Sequence, residues 1–313
     1  MRTLTIIAPV FEEAESIGLF YSKLREELDQ LRDRYSVVLL FVCDPSRDRT
    51  EEILTELASK DPAVQVICFS RRFGHQAALL AGMDHATGDA VIMMDSDLQH
   101  PPSVIPRLLE KFEQGFEIVL TVRRYAANSG IFKRSTSRMF YRVLQTLSDA
   151  PIVENSADFR LISARVCNLF KQEIRERNQF LRGLFSWIGF RQATVAFDAP
   201  NRAAGSTKYN LRRMIQFAVA GIVSFSKKPL QFSIIFGFAV AFFGFVVAVV
   251  TVVQFFSGSQ FPAGWATLLA MISLLSGAQL IFLGVLGEYI ASIFDETKAR
   301  PNYIVDYTRN IHG

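Results

Sequence analysis

The sequence predicts an α/β domain, a mostly parallel sheet covered by helices on both faces, joined to a pair of membrane-crossing helices. Three observations predict it. Over residues 4–122, short apolar runs rich in β-branched residues alternate with segments of helical periodicity. Residues 229–287 contain no Asp, Glu, Lys or Arg. The charged share of the whole chain is 20%, against about a quarter in an ordinary soluble domain, and that one segment accounts for the deficit.

The expected strands are 4–8, 37–42, 64–69, 90–94 and 118–122. Each is a continuous apolar run, as strands buried on both faces are. Between them, 13–31, 48–59, 76–87 and 103–114 carry apolar residues at helical spacing. The N-terminal apolar run is too short for a signal peptide and reads as the first strand. Ligands of such sheets sit at the carboxyl ends of the strands, so chemistry is expected at 9–13, 43–48, 70–76 and 95–100.

Two spans of bilayer length fit the charge-free segment, 232–253 and 265–286. Lys227 and Lys228 precede them, and Lys298, Arg300 and Arg309 follow, which puts both outer ends in the cytoplasm and the connector outside. Gly237, Gly244, Gly277 and Gly284 would permit close helix packing or a homo-oligomer. Residues 131–147 interleave Ile131, Phe132, Met139, Phe140 and Val143 with Lys133, Arg134, Arg138 and Arg142. That pattern suits a helix lying in the membrane interface, or an ordinary surface helix packed on the sheet. Residues 211–228 repeat it directly before the first span. The expected organisation is therefore a cytoplasmic catalytic domain over 1–210, a juxtamembrane helix over 211–228, two spans within 229–290 and a cytoplasmic tail over 291–313, at the inner (cytoplasmic) membrane.

The net charge of +4 suits an anionic membrane surface or phosphorylated substrates. No zinc-finger or RRM-type signature supports nucleic acid. Cys43, Cys68 and Cys167 form no C-x-x-C and are odd in number, which favours a reducing compartment. His75 and His100 lack ligand spacing and read as structural, His100 at a helix start before Pro101-Pro102.

Asp95-Ser96-Asp97 carries the chemistry. Two carboxylates two residues apart at a strand end can hold Mg²⁺ or Mn²⁺ between themselves and a diphosphate, neutralising charge on a leaving group. Three other segments accompany it: Ala8-Pro9-Val10-Phe11-Glu12-Glu13, Arg72-Phe73-Gly74-His75-Gln76-Ala77-Ala78-Leu79 and Ala157-Asp158-Phe159-Arg160-Leu161. Together with Asp95 to Pro102 the chain resembles the family-2 glycosyltransferases of GT-A (Rossmann-like) fold, and within them the polyprenyl-phosphate glycosyltransferases. That group includes the bactoprenol glucosyltransferases and dolichyl-phosphate mannose synthase. The resemblance continues past the spans through Gly287-Glu288-Tyr289-Ile290 and Arg300 to Val305.

The resemblance implies roles. Pro9, Val10 and Glu12 would line a nucleotide pocket. Asp95 and Asp97, with Ser96 between them, would contact ribose, metal and diphosphate, Asp97 being the direct metal ligand. Gln99 would shape the donor site, and Asp158 would face the sugar. Arg202 and Gly205-Ser206-Thr207-Lys208-Tyr209 resemble a loop that closes over the diphosphate, where cations offset phosphate charge. Arg124, Lys133, Arg134 and Ser137 follow the last clear strand. They would bind the acceptor phosphate or attract anionic headgroups. The second strand departs from the family pattern. A pair of acids and Gly-Ser is usual there, and this chain has Cys43-Asp44-Pro45-Ser46. Asp44 remains a nucleotide contact, Cys43 reads as a small buried residue, and the donor base is less determined.

The expected reaction transfers one sugar, glucose from UDP-glucose, to polyprenyl phosphate with inversion. GDP-mannose is the alternative donor. A processive polysaccharide synthase would carry Q-x-x-R-W, whereas Gln179-Phe180-Leu181-Arg182 precedes Gly183. A membrane scaffold with a degenerate transferase domain is the non-enzymatic alternative, which the altered Cys43 segment motivates and the intact Asp95 and Asp97 oppose.

Overall fold

The computed structural model describes residues 1–124, 153, 156–177, 180–198, 226–257 and 264–311. The first half alternates strand and helix: β1 (Arg2–Val10), α1 (Ile17–Asp29), β2 (Tyr35–Cys43), α2 (Thr50–Lys60), β3 (Val64–Phe69), α3 (His75–His85) and β4 (Ala90–Met93). A single 3₁₀ turn (Pro102–Val104) leads into α4 (Ile105–Glu113) and β5 (Ile118–Arg124). Beyond these lie β6 (Ser156–Ser163), α5 (Ala164–Gln172), α6 (Leu181–Trp187), β7 (Gln192–Asp198), α7 (Lys228–Phe256), α8 (Trp265–Lys298) and β8 (Val305–Arg309).

The strands form one eight-stranded sheet in the order β7-β5-β6-β4-β1-β2-β3-β8. The run β4-β1-β2-β3 is parallel, as its helical crossovers require. β6 runs antiparallel to both β4 and β5, and β8 antiparallel to β3. Alternate residues of each central strand feed two cores: Leu4, Ile6 and Ala8 join one cluster, and Ile7 joins the other. α3 lies close on β1 because Gly82 has no side chain. A Cβ there would come 2.2 Å from Ile7 Cγ2.

All five expected strands and four expected helices exist, with shifted ends. α1 begins at Ile17 and not at 13, because residues 13–16 form a turn in which Ser16 N donates to Glu13 O at 3.1 Å. β6, β7, β8, α5 and α6 were not anticipated. β6 carries Asp158 and Arg160 inside an otherwise apolar strand, and β8 is a short half-exposed edge strand with charged residues at both faces. Neither makes a continuous apolar run. β8 brings the tail back along the N-terminal domain, and 305–309 belongs to its sheet.

α7 and α8 are long and apolar enough to cross a membrane, through Lys228–Val247 and Leu274–Lys298. α8 continues past the expected end of the second span. Phe236 meets Phe282 with ring centroids 5.4 Å apart, and Tyr289 Oη donates to Ser226 O at 2.6 Å. The expected amphipathic helix at 131–147, and 211–225 of the second, lie outside the described residues.

Candidate active site

The carboxyl ends of β1, β2 and β4 and the start of α3 enclose a cleft of about 260 Å³, lined by Pro9, Val10, Phe11, Glu13, Asp44, Arg72, Gly74, His75, Ala78 and Asp95-Ser96-Asp97. It opens at the carboxyl ends of the parallel strands, where ligands of such sheets bind. β1 ends in a strained turn, with Glu12 at φ +54°, and Leu98 after the acidic pair has φ +64°. Ser96 turns inward, donating from Oγ to Pro9 O at 3.0 Å, which pins the acidic loop to the end of β1.

Asp97 and Asp95 both border the cleft. Asp97 Oδ1 accepts from Gln99 N at 3.1 Å, so Gln99 orients this carboxylate through its backbone. Asp95 is held from two sides. Its Oδ1 accepts from His75 Nε2 at 2.7 Å, and its N donates to His100 Nδ1 at 2.8 Å. Burial opposes the charged form of Asp95, but His100 and His75 outweigh it and its carboxyl lies below the usual range. His75 moves the other way. Burial lowers it, and the Asp95 hydrogen bond and charge raise it above the ordinary histidine value overall. The expectation that His75 is purely structural is therefore corrected: its ring lines the cleft and grips the first acid. His100 is fully buried, stacked on Phe159, and supports the loop from behind.

Asp44 lines the cleft and also has a structural task that was not expected. It is 4% exposed, and its carboxylate accepts from Phe73 N at 2.8 Å and Gly74 N at 3.0 Å. It thereby brackets the start of α3, where Gly74 has φ +93°, and places His75. Glu12 is exposed and gives its N–H to Ser46 Oγ at 3.1 Å, while its neighbour Glu13 lines the cleft. Cys43 is fully buried in the core beside Cys68, its register partner, as a small apolar residue would be.

Asp158, on β6, is 9% exposed. Arg182 Nε donates to its Oδ1 at 3.0 Å and Arg182 Nη2 to its Oδ2 at 2.7 Å, while Arg160 Nη2 donates to Oδ1 at 2.6 Å. Sequence reasoning missed this arginine pair. Arg160 was within reach of it, since period-two alternation puts it on the same face as Asp158. Arg182 appeared only within the segment used to exclude a processive synthase. Arg124, the last residue of β5, is exposed, and its neighbour Arg123 places Nη2 3.2 Å from His100 Nε2. Lys133, Arg134, Ser137, Arg202 and Lys208 lie outside the described residues.

The cleft thus offers two carboxylates at one strand end and a charged Asp–Arg cluster beside them. Comparison with known proteins now decides the family. Residues 5–170 match the family described as Glycosyl transferase family 2. The chain belongs to glycosyltransferase family 2. It is 42% identical over 310 residues to an uncharacterized glycosyltransferase, YkcC, of Bacillus subtilis (strain 168), covering 99% of this chain and 95% of that one. It is 40% identical over 302 residues to the prophage bactoprenol glucosyl transferase homolog of Escherichia coli (strain K12), covering 96% and 98%. Among solved structures, the mannosyltransferase PcManGT from Pyrobaculum calidifontis, in complex with GDP-Man and Mn²⁺, aligns with a TM-score of 0.49 at 19% identity over 95% of this chain and 87% of that one. This family-2 enzyme is a glycosyltransferase of GT-A fold and of bactoprenol glucosyl transferase type, with two candidate membrane-spanning helices.

Proposed function

We propose that this glycosyltransferase moves one glucose from UDP-glucose to a polyprenyl phosphate at the cytoplasmic face of the membrane. One observation carries the proposal: the likeness to a bactoprenol glucosyl transferase homolog runs through both the cleft and the two apolar helices, over 96% of the chain. A polyprenyl phosphate keeps its headgroup at the membrane surface, so its enzyme needs a water-facing cleft tethered to lipid. The two ends of the chain would both be cytoplasmic, with 1–210 as the catalytic domain.

Asp95 and Asp97 fit a hard divalent cation. They supply carboxylate oxygens, and no cluster of three His, Cys, Asp or Glu occurs among the described residues, so diphosphate oxygens and water would complete the shell. When bound, Mg²⁺ or Mn²⁺ would offset the charge that develops on the departing diphosphate. The protein's own residues do the rest. Pro9, Val10, Glu12, Asp44, Ser96, Gln99 and Lys208 form or support the donor pocket in this proposal, and Arg202 covers the diphosphate. Arg124, Lys133, Arg134 and Ser137 hold the acceptor phosphate. A phosphate monoester has its second pKa near 6. The acceptor is therefore already a nucleophilic dianion at cytoplasmic pH, and catalysis rests on orientation and charge. Its oxygen pair forms the new bond to the anomeric carbon as the bond to UDP breaks, which inverts the configuration.

Purified full-length protein, a short polyprenyl phosphate, Mn²⁺ and UDP-glucose test the proposal. One glucose per lipid is expected, and Asp97→Asn should abolish transfer while still inserting into membranes. Turnover of GDP-mannose alone would reassign the donor. A long polysaccharide product, or no turnover of any nucleotide sugar, would refute the proposal.

A further inference from the structure

Arg182 meets Asp158 side-on. The two hydrogen bonds from Nε and Nη2 reach different carboxylate oxygens, at 3.0 and 2.7 Å, and Arg160 adds a third at 2.6 Å. A bidentate guanidinium fork fixes orientation as well as charge. Asp158 and Arg160 are nearly closed to solvent, 9% and 1% exposed, and Arg182 covers them from a half-buried position. Arg160 stacks on the Phe185 ring at 4.7 Å, and its Nε and Nη1 are buried without a partner. A proton on Asp158 would break this arrangement. It would leave the buried Arg160 and the half-buried Arg182 facing each other with no anion between them.

We infer that Arg182 is a positioning residue for sugar transfer: it locks Asp158 as a fixed anion, so that Asp158 acts through its charge at the reacting centre and takes no proton during turnover. The inference rests on the reaction proposed above and chooses between the two roles the sequence leaves to Asp158, base or charge. Three of the roughly four lone-pair sites of Asp158 already accept guanidinium hydrogen bonds, whereas a base needs a lone pair aimed at its proton. The acceptor phosphate has no proton to give up. The electron pair of its oxygen goes to the sugar, the pair of the broken bond leaves with the diphosphate, and the balance closes with Asp158 unchanged. A fixed anion near the sugar instead opposes the positive charge that gathers on a sugar ring as its leaving group departs.

The charged and titratable groups facing Asp158 are Arg182 from α6, Arg160 from β6, His75 from α3, and Asp95 and His100 from the loop after β4. Burial opposes its charge. Arg182 first, then Arg160 and His75, outweigh that and hold the carboxyl far below the usual range.

The test compares full-length wild type with Arg182→Gln, Arg182→Lys, Asp158→Asn and the Arg182→Gln/Asp158→Asn pair in detergent micelles. The rate constant for UDP-glucose transfer and the unfolding temperature are each followed against pH. Arg182→Gln should lose about ten- to a hundredfold in kcat at neutral pH with little change in donor KM, while its acid limb, set at about pH 6 by the acceptor phosphate, should stay that of wild type. Arg182→Lys should recover part of the rate and part of the unfolding temperature at neutral pH. Asp158→Asn should add little to Arg182→Gln, because the two act as a unit. In stability, a depressed carboxyl contributes above its unfolded pKa and loses that contribution as pH falls. The gap in unfolding temperature between wild type and Arg182→Gln should therefore be widest at neutral pH and narrow below about pH 4.

A gap in unfolding temperature that stays the same from neutral pH to below about pH 4, or a raised donor KM with kcat unchanged, would overturn the inference. So would faster transfer by Arg182→Gln than by wild type at neutral pH, since a freed Asp158 would then be serving as a base. If wild type transfers no sugar to polyprenyl phosphate, the proposed reaction fails. The pH dependence of unfolding then still decides whether Arg182 locks Asp158.

Discussion

Replacing Asp44 with Ala separates two roles for one carboxylate. In the structure Asp44 is buried and spans two consecutive amides, Phe73 N at 2.8 Å and Gly74 N at 3.0 Å, immediately before α3. A hydrogen bond to a charged group contributes about 1.5–3 kcal/mol, and a buried donor left unpaired costs about as much. Two such bonds give an upper figure of roughly 6 kcal/mol. With partial relaxation and water entry, roughly 3 kcal/mol is the expected loss. For a domain of about 200 residues, each kcal/mol moves the unfolding temperature by about 2–4 °C, so Asp44→Ala should unfold roughly 6–12 °C below wild type. Asp44→Asn keeps one acceptor oxygen and should lose about half as much. Differential scanning fluorimetry of the detergent-solubilised full chain, without any nucleotide, reads both. His75 follows Gly74 directly, so Asp44→Ala should also loosen the His75 contact with Asp95 and raise the donor KM. An Asp44→Ala protein that unfolds within about 1 °C of wild type would refute the bracket, and would leave Asp44 as a nucleotide contact only.

Two further outcomes are expected. Gly82→Ala should cost about 1–3 kcal/mol in thermal or urea unfolding by forcing Ile7 from its place. Ile7→Ala should recover part of that loss in the double variant, and Ile7→Val should not, because Val keeps Cγ2. Removing 299–313 should uncover the edge of β3 and strip Asn310 Nδ2 from Ala58 O (2.6 Å) and Val64 O (2.9 Å), giving aggregation on size-exclusion chromatography.

The parallel half of the fold was legible because its strands are buried on both faces and so spell continuous apolar runs. β1 to β5 all announce themselves this way. β6 does not, for a reason tied to function: Asp158 and Arg160 interrupt its apolar pattern, and they can be buried only because they pair with each other and with Arg182. A strand that carries a charged site inside the core is thus the strand that periodicity overlooks. The site was legible to the same degree. Asp95 and Asp97 follow a recognisable strand, and the cleft forms at that strand's end. His75 and Arg182 act through partners 20 and 24 residues away in sequence, and no local spacing encodes those pairings. Asp44 was found at the cleft, but its bond to the helix-start amides was not, because a carboxylate at a strand end suits such amides as well as a ribose.

The length of α8 bears on how such a cleft could meet a lipid headgroup. Its 34 residues span about 51 Å, well beyond the roughly 30 Å of a hydrocarbon core. Its uncharged part ends at Glu288, so on the proposed topology the stretch from Glu288 to Lys298 stands about 16 Å clear of the hydrocarbon on the cytoplasmic side. That projecting end is not a loose stalk. Glu296 accepts from Arg177 N at 2.8 Å, just before α6, and Tyr289 binds Ser226 O near the start of α7. After Lys298 the chain reverses at Ala299 in a left-handed conformation and returns through Tyr303, whose hydroxyl donates to Asp84 at 2.7 Å, to β8. Helix and tail therefore grip the catalytic domain at two places, near the segment that carries Arg182 and on the β3 edge. On the proposed topology, a rod held at both points would fix the height of the cleft above the bilayer, whereas a flexible linker would leave the cleft to find a short-reaching phosphate by diffusion.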